Sequence, residues 1–211
     1  MVSFTYRFDF IDENTEPMVY KIDLDEDTFY LKTMQNPSYE TAQWEKLDFH
    51  QCDNCPLDVA EHPYCPIAKN LNNLVSYFKE LKSFKKAKII VETDERSYFK
   101  EDSIQVGLFS IFGIIMATSG CPHLDFLRPM ARFHLPFASS DETIYRSTSA
   151  FVLREFLIKR KSKEKYDISL QRLQNYYQEV ETVNNGILSR IRSIASGDAD
   201  QNALVILESL K

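Results

Sequence analysis

Between Val106 and Ala117 the chain carries a single polar side chain, Ser110, in a run of about a dozen residues. A segment that is apolar nearly all round has no face to show to water. It is too short to span a bilayer, which needs about 20 residues. It therefore predicts a helix over 106–118 that sits at the centre of a core, with the remaining elements arranged around it. The chain has enough apolar bulk to do this without cross-links, since 15 Phe and 11 Tyr stand among its 211 residues.

Around that helix the patterning alternates between two periods. Val2, Phe4, Tyr6, Phe8 and Phe10 alternate with polar residues, as do Met18, Tyr20, Ile22 and Leu24 after a turn at Asp12-Glu13-Asn14. This predicts an antiparallel hairpin. A second hairpin is expected from Lys88–Thr93 and Ser97–Lys100. Ile67, Leu71, Leu74, Val75, Phe78 and Leu81 share one face of a helix. Residues 34–46 are expected to be a loop, and residues 119–138 irregular. Ser139 followed by Glu142 forms a capping box opening a helix with Ile144, Phe151, Val152 and Phe156 on its buried side, and the basic cluster Lys159-Arg160-Lys161 complements its C-terminal dipole.

From Tyr166 the apolar positions step by four and three through Leu170, Leu173, Tyr177, Val180, Asn184, Ile187, Ile191 and Ile194. Such spacing serves either packing on the capped helix or a dimer seam along 166–194, where Asn184 would fix register. Tyr176, Val183 and Leu188 widen the stripe and Gly186 weakens the helix, which favours packing within the chain. A short last helix is expected over Asn202–Leu210. The fold class is α+β, a small antiparallel sheet packed on helices with a long C-terminal helical hairpin. It divides into a core of residues 1–138 and a helical segment of 139–211, joined in one domain.

The formal net charge of −6 argues against a broad nucleic-acid interface. Arg7 and Asp9 interrupt the stretch where a signal peptide would need its apolar region, so a cytoplasmic protein with reduced thiols is expected. Under those conditions grouped cysteines bind metal or do redox work more often than they form structural bridges. Cys52 and Cys55 form a C-x2-C pair, and Cys65 and Cys121 follow singly; three of these four precede a proline. His50, His62 and His123 each lie within three residues of a cysteine. The pair predicts two thiolates on one ion, completed by Cys65 and Cys121 from other loops, with the three histidines as substitutes. Four thiolates close a tetrahedral site, so the expected role is structural, sensing or partner-binding rather than catalytic. Zn2+ is the first expected metal. Cys-Pro steps also recur in ferredoxin-type runs, which makes a [4Fe-4S] cluster the alternative and, with it or with a Cys52/Cys55 dithiol, an oxidoreductase or electron carrier. The partner is another protein or a second copy of the chain.

A second constellation is Arg128, Arg132 and His134, leading into the capped helix, with Arg146 about two turns along it. Together with Arg96, Tyr98 and Lys100 these residues could hold a small anion; the plainer reading pairs the arginines with surface carboxylates. Asp141 and Glu142 are explained by capping rather than by general-base chemistry. No Walker loop, dinucleotide fingerprint, nucleophile elbow or H-E-x-x-H occurs.

The stretches His50-Gln51-Cys52 to Cys55-Pro56-Leu57, Cys65-Pro66-Ile67-Ala68, Thr118-Ser119-Gly120-Cys121-Pro122 and Pro129 to Ala138 (PMARFHLPFA) resemble an uncharacterised bacterial family of about this length. The likeness runs over nearly the whole chain. It implies a bacterial, cytoplasmic setting, and that the cysteine loops and the 132–138 stretch belong to one site.

Overall fold

The computed structural model describes residues 2–11, 16–32, 41–78, 85–162 and 169–194. Strands β1 (Val2–Phe10) and β2 (Met18–Leu24) pair antiparallel, as do β3 (Lys86–Glu92) and β4 (Ser97–Ser103). β1 also pairs antiparallel with β3, which joins the two hairpins into a four-stranded sheet of order β2-β1-β3-β4. The register places Tyr6 opposite both Tyr20 and Val91. Phe4, Tyr6, Phe8, Ile22, Leu24, Ala87, Ile89 and Val91 are buried on one face, as the period of two requires. Arg7, Lys88 and Lys100 stand exposed. β4 is an edge strand, and its charged Lys100-Glu101-Asp102 keeps that edge from pairing with other chains.

Helix α2 (Ile104–Thr118) lies on the buried face, with ten of its fifteen residues buried. This is the central helix its composition predicts. The approach to the sheet is close at Gly107, where a Cβ would stand 2.5 Å from Cε1 of Phe8 and 3.1 Å from Cγ2 of Ile89. Helix α1 (Pro66–Phe78) packs on α2 through Ile67, Ala68, Leu71 and Leu74. Residues 119–138 are more regular than expected: a 3-10 turn at Asp125–Leu127 runs into helix α3 (Arg128–Arg132), whose Pro129 occupies the first turn, where a missing N–H costs nothing.

Helix α4 (Ser140–Ser162) opens on the expected capping box. The Ser139 amide donates to Glu142 Oε2 at 2.8 Å and the Glu142 amide to Ser139 Oγ at 3.2 Å. Its buried row differs from the expected one. Ser147, Phe151 and Glu155 are buried, while Ile144 is 62% and Phe156 39% exposed. Glu155 explains the difference: it bonds Arg154 at 2.7 Å and Arg172 of helix α5 (Leu170–Ile194) at 3.2 Å, so the row that meets α5 is polar at Ser147 and Glu155. Beyond that contact α5 turns its stripe inward, burying Val183, Ile187, Leu188 and Ile191 in the core against α1 and a 3-10 turn at Gln43–Glu45. Leu170 and Tyr177 remain exposed. The turn at 12–14, Leu81, Tyr166 and the helix expected over 202–210 lie outside the described residues.

The contact at Gly107 fixes how near α2 can come to the sheet. Gly107→Ala is expected to destabilise the fold by about 1–3 kcal/mol through overpacking against Phe8. For a chain of this size that lowers the melting temperature by roughly 2–4 °C per kcal/mol. Thermal unfolding followed by circular dichroism checks it, and an unchanged midpoint would show that Phe8 moves aside at no cost.

Candidate functional site

Three chain segments carry the four cysteines. The first two are tied by a short antiparallel crossing. Lys46 bridges Tyr64, the Leu47 amide donates to Pro63 O at 2.9 Å, and the Cys65 amide donates to Glu45 O at 2.8 Å. Cys65 thereby sits immediately before Pro66, the first residue of α1, and is 7% exposed. The C-x2-C segment is a turn, with the Cys55 amide donating to Cys52 O at 2.9 Å. The third segment leaves the C-terminus of α2 through Gly120, whose φ of 91° lies in the left-handed region that glycine adopts freely. Cys121 follows, its amide donating to Ser119 Oγ at 3.3 Å.

The loops meet. His123 Nε2 donates to Asn54 O at 2.6 Å, joining the Cys121 loop to the C-x2-C turn. Glu179 of α5 accepts from the Asn54 amide nitrogen and lies 3.7 Å from His123 Nδ1. Two of the thiols are shifted, each chiefly by burial. Burial pushes the Cys52 thiol up to about 11, with Cys65 and Cys55 pushing the same way and Arg190 opposing. Burial likewise pushes Cys121 up to about 12, with Cys65 and Cys52 adding to it. All four cysteines are free of disulfides. Thus Cys121, 56 residues beyond Cys65 in sequence, stands within electrostatic reach of Cys65 and Cys52. Among the described residues no three His, Cys, Asp or Glu side chains are already set as ligands around one point. Of the possible substitutes, His50 and His62 are exposed and His123 is engaged as above.

Two residues of α5 complete this region, and neither stands out by motif. Gly186 faces Cys52 so closely that a Cβ would be 2.4 Å from its sulfur. The glycine that weakens the helix is the one that admits the thiol. Arg190 is 1% exposed, and its guanidinium donates to the carbonyls of Trp44, Lys46 and Leu47 at 2.7, 2.7 and 2.8 Å. No carboxylate pairs with it among the described residues, and its Nε is buried without a hydrogen-bond partner. The available signal was positional: Arg190 lies three residues after Ile187 and seven after Val183, on the buried stripe.

The second constellation divides. Arg132, His134 and Arg146 line one cavity of about 210 Å3 together with Arg96 and Tyr98. Arg128 is elsewhere, stacked 3.8 Å over the Tyr30 ring and paired with Asp125 at 3.2 Å. Lys100 pairs with Asp102 at 3.5 Å. His134 Nε2 lies 2.9 Å from Tyr6 Oη and 3.0 Å from Ser110 Oγ, and the two hydroxyls are 2.8 Å apart. This triangle accounts for the one polar side chain between Val106 and Ala117. Ser110 is 6% exposed and Tyr6 fully buried, so the serine and histidine form a satisfied internal network rather than a nucleophile open to substrate.

Burial, with Arg146 adding to it, pushes His134 down to about 3 from its usual 6.5. The unfolded chain then binds a proton that the folded chain does not, so stability present above pH 6.5 is lost as the pH falls toward 3. Urea titrations at pH 7, 6 and 5 are expected to show this group contributing up to about 1.4 kcal/mol per pH unit. His134→Gln is expected to flatten that slope; an equal slope in the variant would contradict it.

No curated protein and no solved structure matches the chain. The family model described as a domain of unknown function (DUF6901) matches residues 4–211, which include all four cysteines and Arg190, and the chain belongs to that family.

Proposed function

We propose that Cys52, Cys55, Cys65 and Cys121 form a thiolate metal centre with a structural, sensing or partner-binding role and no catalytic one, in the bacterial, cytoplasmic setting the sequence resemblance implies. The observation that supports it is the joining of the three cysteine-bearing segments: the His123 bond to Asn54 ties the Cys121 loop to the C-x2-C turn, the Cys65 amide is held by Glu45, and Cys52 lies against Gly186 of α5 near Arg190. Thiols pushed this high stay protonated at neutral pH. A bound cation reverses the balance, since a coordinating thiol is deprotonated outright. Four thiolates on a divalent ion leave net negative charge in a buried place, and Arg190 is a fixed cation beside it. Zn2+ with four cysteine ligands is the first reading.

A [4Fe-4S] cluster on the same ligands, serving electron transfer, is the second reading. The Cys-Pro steps at 55, 65 and 121 favour it, as does a buried cation close to a ligand, a lever that sets cluster potential. A free Cys52/Cys55 redox pair fits less well. Reactive dithiols need a lowered thiol pKa, and burial raises that of Cys52.

Elemental analysis and a visible spectrum of anaerobically purified protein test both readings. The expected result is about one zinc, or about four iron with inorganic sulfide and a brown colour, per chain. Cys52→Ser and Gly186→Ala are both expected to lower the metal content. The glycine variant removes no sulfur, so its effect separates a built site from thiols scavenging metal. Less than about 0.3 metal per chain in the parent, with no change in Cys52→Ser, would end the proposal.

A further inference from the structure

The cavity lined by His134 is distinct in chemistry from the cysteine region. It lies among the start of β1, the turn between β3 and β4, the segment after α3, and α4. Its wall brings together Arg96, Arg132 and Arg146, three guanidiniums from three separate elements. Arg146 donates to the carbonyls of Met130 and Phe133, which orient it without neutralising it. Burial pulls its pKa down, the mark of a cation short of solvent, while Glu142 acts from a distance with its carboxylate engaged at the Ser139 amide. Arg96 and Arg132 share one carboxylate: Glu95 places Oε2 3.2 Å from Arg96 and Oε1 3.5 Å from Arg132.

That shared carboxylate is informative. Its side chain is 58% exposed and its contacts are long, so it is weakly held. Yet it marks a position that two guanidiniums already straddle, the geometry that recognises carboxylate and phosphate oxygens. Tyr98 and a neutral His134 line the same space, so its positive charge comes from the three arginines, set against the carboxylates of Asp94 and Glu95 in the same wall. The cavity, about 210 Å3, is smaller than the usual 300–1,000 Å3 of pockets for drug-sized ligands.

We propose that this cavity binds a small oxyanion-bearing ligand whose carboxylate or phosphate group displaces Glu95 from Arg96 and Arg132 and is met from within by Arg146. The plainer surface pairing of these arginines is then the resting state of the site, with Glu95 as the built-in competitor. The proposal is independent of the metal centre.

Thermal unfolding of the full chain tests it, with inorganic phosphate and malonate as probes at constant ionic strength set by NaCl. With a Kd near 1 mM, about 10 mM of the right anion raises the melting temperature by about 3–6 °C. Glu95→Gln is expected to show a larger rise. Arg132→Gln and Arg96→Gln, substitutions at exposed or half-exposed side chains, are expected to show little or none. A rise with phosphate alone assigns a phosphate ligand, and one with malonate alone a carboxylate. No rise beyond the NaCl control in both parent and Glu95→Gln, or an undiminished rise in Arg132→Gln and Arg96→Gln, overturns the proposal.

Discussion

Arg190 is a full positive charge carried into the core and met there, among the described residues, by main-chain oxygens. Removing a guanidinium from water is expensive, and three carbonyl acceptors offset that cost only if the loop supplying them is held in one shape. The segment from Trp44 to Leu47 is so held. Trp44 Nε1 donates to Asn72 Oδ1 at 2.9 Å, Glu45 Oε1 accepts from the Ala42 amide at 3.1 Å, and the crossing to 63–65 fixes the rest. The same crossing sets Cys65, and the same helix sets Gly186 against Cys52. The shape of the cysteine region and the burial of one charge are therefore a single constraint.

Most of the architecture was legible because it follows from one-dimensional rules. The period of two in β1 and β3, the apolar run of α2 broken only by Ser110 between Val106 and Ala117, and the Ser139/Glu142 reciprocity each depend on residues within a few positions of one another. Sequence reading failed where burial was settled at a distance. Ile144 and Phe156 are as apolar as Phe151, yet the row through Glu155 is the one that faces α5, because Arg172 waits there. In the same way α5 has a heptad-like stripe, but what it covers is the loop around Trp44 rather than α4 alone.

The candidate sites divide along the same line. The C-x2-C spacing foretold the turn that Cys52 and Cys55 make, since the pair and the Cys-Pro steps restrict the backbone locally. Arg190 and Gly186 carry no such signature, and their meaning appears only when α5 is laid across the loops. Among the arginines, Arg132 and Arg146 gather as their spacing suggested, whereas Arg128 finds Tyr30 and Asp125, partners 98 and three residues away. His134, read in the sequence as part of a candidate anion site, closes with its ring a hydroxyl triangle with β1 and α2 that no local pattern announces.

The hydrogen bond from Arg190 to Trp44 spans 146 positions of chain. Contacts of that separation form late, because a long segment must be ordered before they contribute anything. During synthesis the loops bearing the sulfurs leave the ribosome well before the helix that shields them. For that interval the thiols stand uncovered by α5 and open to whatever solution surrounds them. Once α5 docks, access to the Cys52 sulfur against Gly186 must wait for it to lift.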